Sequence, residues 1–110
     1  MLARMDDRLT RLETTILSRR SADPASSYVA SLAHKGRAKM AQKLGEEATE
    51  TVIAAIEDDR AGLIAESADL LFHLTCLLAD ADIRLADVLD ELERREGVSG
   101  HAEKAARAPG

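Results

Sequence analysis

The chain has 110 residues, a formal net charge of -5 and only 2% aromatic residues, with no Trp. That length suits one domain with a modest core, so oligomerisation is a natural expectation. The acid excess argues against a uniformly basic nucleic-acid surface, and a composition rich in Ala, Leu, Glu and Arg with only 2 prolines points to an all-α protein.

Residues 2–19 set Leu2, Met5, Leu9, Leu12 and Ile16 at helical spacing, which predicts a first amphipathic helix. SADPASS (21–27) reads as a turn in which Ser26 or Ser27 caps the next helix, YVASLAHK, which ends near Gly36. A long third helix is expected from Arg37 to about Asp58, with Met40, Leu44, Val52, Ile53 and Ile56 as its apolar positions. DDRAG (58–62) reads as a turn, Leu63 to about Ala81 as a fourth helix apolar around most of its girth, and Ile83–Arg95 as a fifth. In the fifth, Leu85, Val88, Leu89 and Leu92 are expected to face inward, with Asp87 in the first turns. GVSG (97–100) breaks the chain before a short tail, HAEKAARAPG.

MLARMDDR places acids where a signal peptide keeps its apolar core. The most apolar run, Leu70–Ala79, is short for a membrane span and is interrupted by His73 and Thr75. A cytoplasmic chain with no membrane partner is therefore expected. The single cysteine, Cys76, sits in the same apolar run and is expected to pack.

The third helix contains KLGEEATE (43–50), three glutamates around one turn beside a glycine. Residues three or four apart share a helical face, so Glu47 and Glu50 project together, with Glu46 near the same stripe. Glu66 and Asp69 repeat the spacing inside the apolar fourth helix, where an unpaired carboxylate is costly. If the two helices pack antiparallel through DDRAG, the two pairs converge. Alone, such acids raise one another's pKa; around a hard divalent cation they form an oxygen cage of the kind Mg2+ uses together with substrate phosphates. Lys35, Lys39 and Lys43 run along the helix toward Glu47, either as ion-pair partners, Lys43 with Glu47 among them, or as cations for phosphate oxygens. Gly45, about 1 kcal/mol poorer than Ala in a helix, is expected to admit another backbone or a ligand. His73 follows Asp69 by four and either ties down a carboxylate or sits in the core with a satisfied hydrogen bond.

KLGEEATETVIAA followed by AESADLLFHL resembles the phosphoribosyl-ATP pyrophosphohydrolase family of histidine biosynthesis, a branch of the all-α, MazG-like NTP pyrophosphohydrolases. SYVASLAHKGRAKMAQKLGEE upstream and DVLDELERREGVSGHAEKAAR downstream extend the likeness over about Ser27–Arg107. The helical pattern and the resemblance together point to a MazG-like bundle of about five helices completed by homodimerisation: an N-terminal amphipathic helix over 1–20, which the likeness matches least, the pyrophosphohydrolase domain over 21–107 and a tail at 108–110. The resemblance implies Mg2+-dependent hydrolysis (Mn2+ as a substitute) of phosphoribosyl-ATP to phosphoribosyl-AMP and pyrophosphate. By position, Glu47, Glu50, Glu66 and Asp69 match the metal-binding carboxylates, and Glu46 matches the extra acid of the EExxE motif. Glu46, Glu47 and Glu50 are then the catalytic candidates, with Glu46 or Glu50 as base. Lys43 leads the substrate-binding candidates, followed by Lys39, Arg95 and Lys104. The departures, Val29 where Thr is usual and Phe72 where Tyr is common, lie outside the acidic set. Two other readings compete: a house-cleaning dNTP pyrophosphohydrolase of the same fold, and a non-catalytic helical module whose acids serve solubility.

Overall fold

The computed structural model describes residues 2–97, which form five α-helices: α1 (Leu2–Arg19), α2 (Tyr28–Lys35), α3 (Arg37–Ile56), α4 (Arg60–Asp80) and α5 (Leu85–Arg94). The long pair α3–α4 makes the most extensive packing, α1 and α2 lie against α4, and α5 packs on α1. Among the described residues there is no strand.

The aliphatic periodicity of α1–α4 meets at one end of the α3–α4 hairpin. Ile16 from α1, Val29 and Leu32 from α2, Met40 from α3, and Cys76 and Ala79 from α4 form the buried core. Burial pushes the Cys76 thiol up to about 11, so it packs as an unreactive apolar group. The same end is locked electrostatically. Arg20 Nη1 donates to the Ala79 carbonyl at 2.9 Å, and Arg37 donates to the Asp80 carbonyl at 3.0 Å and its carboxylate at 2.8 Å. Two guanidinium groups thus satisfy carbonyls that the C-terminus of α4 would leave bare.

The elements start and stop where local chemistry dictates. Ser27 caps α2, its hydroxyl accepting from Ala30 N–H at 3.2 Å. Gly36, at φ +97°, makes the kink between α2 and α3. The α3–α4 turn is shorter than DDRAG suggests, because α4 begins at Arg60. Asp58 takes a left-handed conformation, φ +55°, and Asp59 caps α4 by accepting from Gly62 N–H at 2.9 Å. A side chain at Gly62 would collide with that carboxylate, which accounts for the glycine.

Glu13 of α1 is 7% exposed and holds the start of α5. It accepts from Arg84 Nη2 at 3.0 Å and from Leu85 N–H at 2.6 Å, while Asp87 accepts from Arg84 N–H at 3.0 Å. Burial alone would push the Glu13 carboxyl up, but these donors outweigh it and hold it below the usual carboxylate range. The stability that Glu13 adds is therefore present above the ordinary carboxylate pKa and is lost as pH falls through the depressed folded value. Glu13→Ala strips a cap and leaves the Leu85 N–H unpaired, and should cost about 1–3 kcal/mol in denaturant unfolding with little effect on the acidic site.

Several apolar positions lie exposed in the single chain. Leu92 is exposed rather than inward on α5, and on the free end of the hairpin Val52, Ile53, Ile56, Ile64 and Leu71 are exposed as well. Their spacing is that of a core helix, but α1 and α2 reach only the opposite end.

Candidate active site

The carboxylates lie midway along the α3–α4 hairpin. Glu47 from α3 and Glu66 and Asp69 from α4 bring carboxylate oxygens within 4.8 Å of one another. Antiparallel packing through the short turn is what faces the Glu-x-x-Glu step of one helix to the Glu-x-x-Asp step of the other. Glu50 joins as the exposed neighbour acting on both Glu47 and Glu66. Burial, then the charges of Glu50 and Asp69, raise the Glu47 carboxyl above its ordinary value. Burial and Glu50 do the same to Glu66. Among the described residues, Glu47 Oε2 is buried without a hydrogen-bond partner. An orphaned buried oxygen among crowded acids is the donor chemistry of a hard cation site, and the residues fit such an ion.

Glu46 stands elsewhere. It lies on an exposed flank, accepting from Gln42 at 2.9 Å and pairing with Lys43 at 3.3 Å, and these partners, Gln42 first, hold its carboxyl below the usual range. Lys43 therefore pairs with Glu46 three residues on rather than with Glu47 four on, because Glu47 turns inward to α4. The contact with Glu46 is also the leading reason that the Lys43 ammonium is held above its ordinary value. Lys39 adds its charge on the same flank. Arg95, just past the end of α5, donates to Glu91 at 2.9 Å, and α5 packs on α1. Lys104 lies outside the described residues, as do His101 and the SG-x-x-EKA segment.

His73 is buried, and its contact is with the Asp69 backbone rather than a carboxylate. Its Nδ1 lies 2.8 Å from the Asp69 carbonyl oxygen and its Nε2 3.0 Å from the Tyr28 hydroxyl. The ring beside it was legible only as composition: the chain has one Tyr and one Phe, and Tyr28 and Phe72 stack together here.

Gly45 departs from expectation. A Cβ there would meet nothing within 4 Å, so no close approach among the described residues explains the glycine. Gly45→Ala should stabilise the free protein by about 1 kcal/mol, seen as a higher Tm. A matching fall in kcat/KM would assign the open space to a ligand, whereas unchanged kinetics would leave the residue without a role at the site.

An all-α hairpin bundle that gathers carboxylates from two antiparallel helices, with lysines on the flank, is consistent with the class of helical nucleotide pyrophosphohydrolases. Within it, the model of the family described as phosphoribosyl-ATP pyrophosphohydrolase matches residues 9–96, and the chain belongs to that family. Similar proteins named phosphoribosyl-ATP pyrophosphatase come from Rhizorhabdus wittichii (63% identical over 106 residues, 96% of this chain and 100% of the relative) and Novosphingobium aromaticivorans (61% over 100 residues, 91% and 94%). A third, from Zymomonas mobilis, is 57% identical over 102 residues, 93% of this chain and 95% of the relative.

Proposed function

We propose that this chain hydrolyses phosphoribosyl-ATP at the α–β phosphoanhydride, giving phosphoribosyl-AMP and pyrophosphate, as a cytoplasmic step of histidine biosynthesis. The observation that carries the site assignment is the convergence of Glu47, Glu66 and Asp69 around the unpartnered Glu47 Oε2, in a chain of this family. Glu47, Glu50, Glu66 and Asp69 would hold Mg2+, or Mn2+ in its place. When bound, the cation supplies positive charge that neutralises phosphate oxygens and the leaving pyrophosphate. Lys43, with Lys39 behind it, binds phosphate oxygens at the mouth of the site. Glu50, exposed and in touch with both Glu47 and Glu66, is open to water and takes the proton of the attacking molecule. Glu46 is a weaker base, since Gln42 and Lys43 already stabilise its charged form; its part is to steady Lys43. Rescue of a histidine auxotroph lacking this step tests the assignment: growth without histidine is expected, and no growth despite soluble expression would contradict it.

The working unit in this reading is a homodimer. Ile56 is 79% exposed and Ile64 61%, at the end of the hairpin that α1 and α2 leave bare, and large exposed aliphatic residues gathered at one end suit an interface. Sedimentation should give a dimer, and Ile56→Glu should shift it to monomer with the helical signal kept; a wild-type chain that sediments as a clean monomer contradicts the dimer. Helix α4 is long and apolar enough by length and composition to cross a membrane. Glu66 and Asp69 near its middle would be costly there, and they belong to the acidic cluster, so no membrane partner is proposed, nor a nucleic-acid one.

A further inference from the structure

The only tyrosine and the only phenylalanine of the chain stack on one another, ring centroids 5.9 Å apart and planes at 21°. Core filling does not require this arrangement. The buried core is aliphatic apart from small and polar residues, Phe72 is partly buried at its edge, and Tyr28 is 51% exposed. Yet the exposed ring is held firmly. His73 Nδ1 faces the Asp69 carbonyl and must donate to it, so in the neutral ring Nε2 accepts the Tyr28 hydroxyl proton. The imidazole stands edge-on to both neighbours, at 83° to Tyr28 and 88° to Phe72. A buried histidine thus fixes a half-exposed aromatic ring and ties it, through the Asp69 backbone, to the helix that carries two of the clustered acids.

What surrounds the stack suits a nucleotide. Tyr28 and Phe72 border a pocket of about 490 Å3 that also takes in Arg19, Ser26 and Ser27, within the size range of small-molecule sites. Lys43, the lysine assigned to phosphate, feels the Tyr28 phenol after the larger influence of Glu46. We propose that Tyr28 and Phe72, held in place by His73, form the platform on which the purine ring of the nucleotide stacks while its phosphates lie at Lys43 and the carboxylates. A flat π-face binds a base by stacking without needing hydrogen-bond readout, and rings fixed beforehand lose little freedom on binding. The inference rests on the phosphoribosyl-ATP reading and names the part of the site that reads the base.

The two products of that reaction separate the two halves of the site, since phosphoribosyl-AMP carries the base and pyrophosphate does not. With no Trp and one Tyr, tyrosine emission of the full-length protein reports Tyr28 alone. In the presence of Mg2+, phosphoribosyl-AMP should change that emission saturably and pyrophosphate should leave it unchanged. By calorimetry, Phe72→Leu should weaken phosphoribosyl-AMP binding about tenfold while pyrophosphate affinity stays within about twofold. Tyr28→Leu, at a position outside the core, should do the same, and Tyr28→Phe, which keeps the ring but loses its bond to His73, should weaken phosphoribosyl-AMP binding less than Tyr28→Leu does. The platform is overturned if phosphoribosyl-AMP leaves the emission unchanged, if pyrophosphate alters it equally, or if Tyr28→Leu weakens both products alike. Failure of the catalytic reading is a separate result: wild-type protein that releases no pyrophosphate from phosphoribosyl-ATP.

Discussion

Glu47→Gln and Asp69→Asn should each lower kcat/KM for phosphoribosyl-ATP by more than about a hundredfold while leaving the helical circular dichroism intact. Changing a group that merely supports a metal ligand typically costs 10- to 100-fold, and in the proposed site these two carboxylates are ligands themselves. Both substitutions keep the shape of the side chain and remove the charge. Neither touches the core of Ile16, Val29, Leu32 and Met40, so loss of activity should not come through unfolding. Near-wild-type turnover in either variant would sink the metal-site assignment. Glu46→Gln is the useful control, because Glu46 bonds Gln42 and Lys43 on the exposed flank. Its effect should be markedly smaller and should fall on KM, through a Lys43 that is less well positioned.

Removing the divalent cation should abolish turnover and, at the same time, reverse the usual order of stability between wild type and Glu47→Gln. In the folded chain the Glu47 carboxyl is raised by burial and by Glu50 and Asp69. A carboxyl raised in this way gives up its proton at higher pH folded than unfolded. Its contribution to stability is therefore complete in acid, below the ordinary value of 4.5, and is lost as pH rises through the elevated folded value. At neutral pH in EDTA the wild-type protein carries that penalty, and Glu47→Gln escapes it. The variant should melt higher than wild type in EDTA at neutral pH, with the gap closing as the buffer is acidified. Mg2+ should raise the wild-type Tm and leave the variant almost unmoved. A variant that melts lower than wild type in EDTA at neutral pH would show that Glu47 supports the fold instead of straining it.

The helices were legible because their apolar residues recur at helical spacing and the breaks carry Gly, Ser or Asp. The start of α4 was not: Arg60 and Ala61 are serviceable helix formers, and only the Asp59 cap on Gly62 N–H reveals that the helix begins before Leu63. The clustering of Glu47, Glu66 and Asp69 was legible for a simple reason. Glu-x-x-Glu and Glu-x-x-Asp each define one helical face, and a short turn between the helices leaves antiparallel packing as the direct way to pair them. The direction of Glu46 was not legible, since neighbouring positions on a helix point about 100° apart and Gln42 and Lys43 compete for it. Gly45 suggested a close neighbour, but the space beside it is open. For Ile53, Ile56 and Ile64 the pattern left bundle and subunit interface open, because apolar spacing alone cannot tell the interior of one chain from the face offered to another. Tyr28 and Phe72 carried no spacing signal, being far apart in sequence; their scarcity was the sole hint, and the stack became visible only with α2 folded against α4.

The most direct test of the carboxylate site as a phosphoribosyl-ATP hydrolase is pyrophosphate release, measured side by side from phosphoribosyl-ATP and from a panel of dNTPs, with Mg2+ and with EDTA. The expected result is release that requires Mg2+ and strongly favours phosphoribosyl-ATP over every dNTP. Release that persists in EDTA, or that runs as fast on a dNTP, would contradict it.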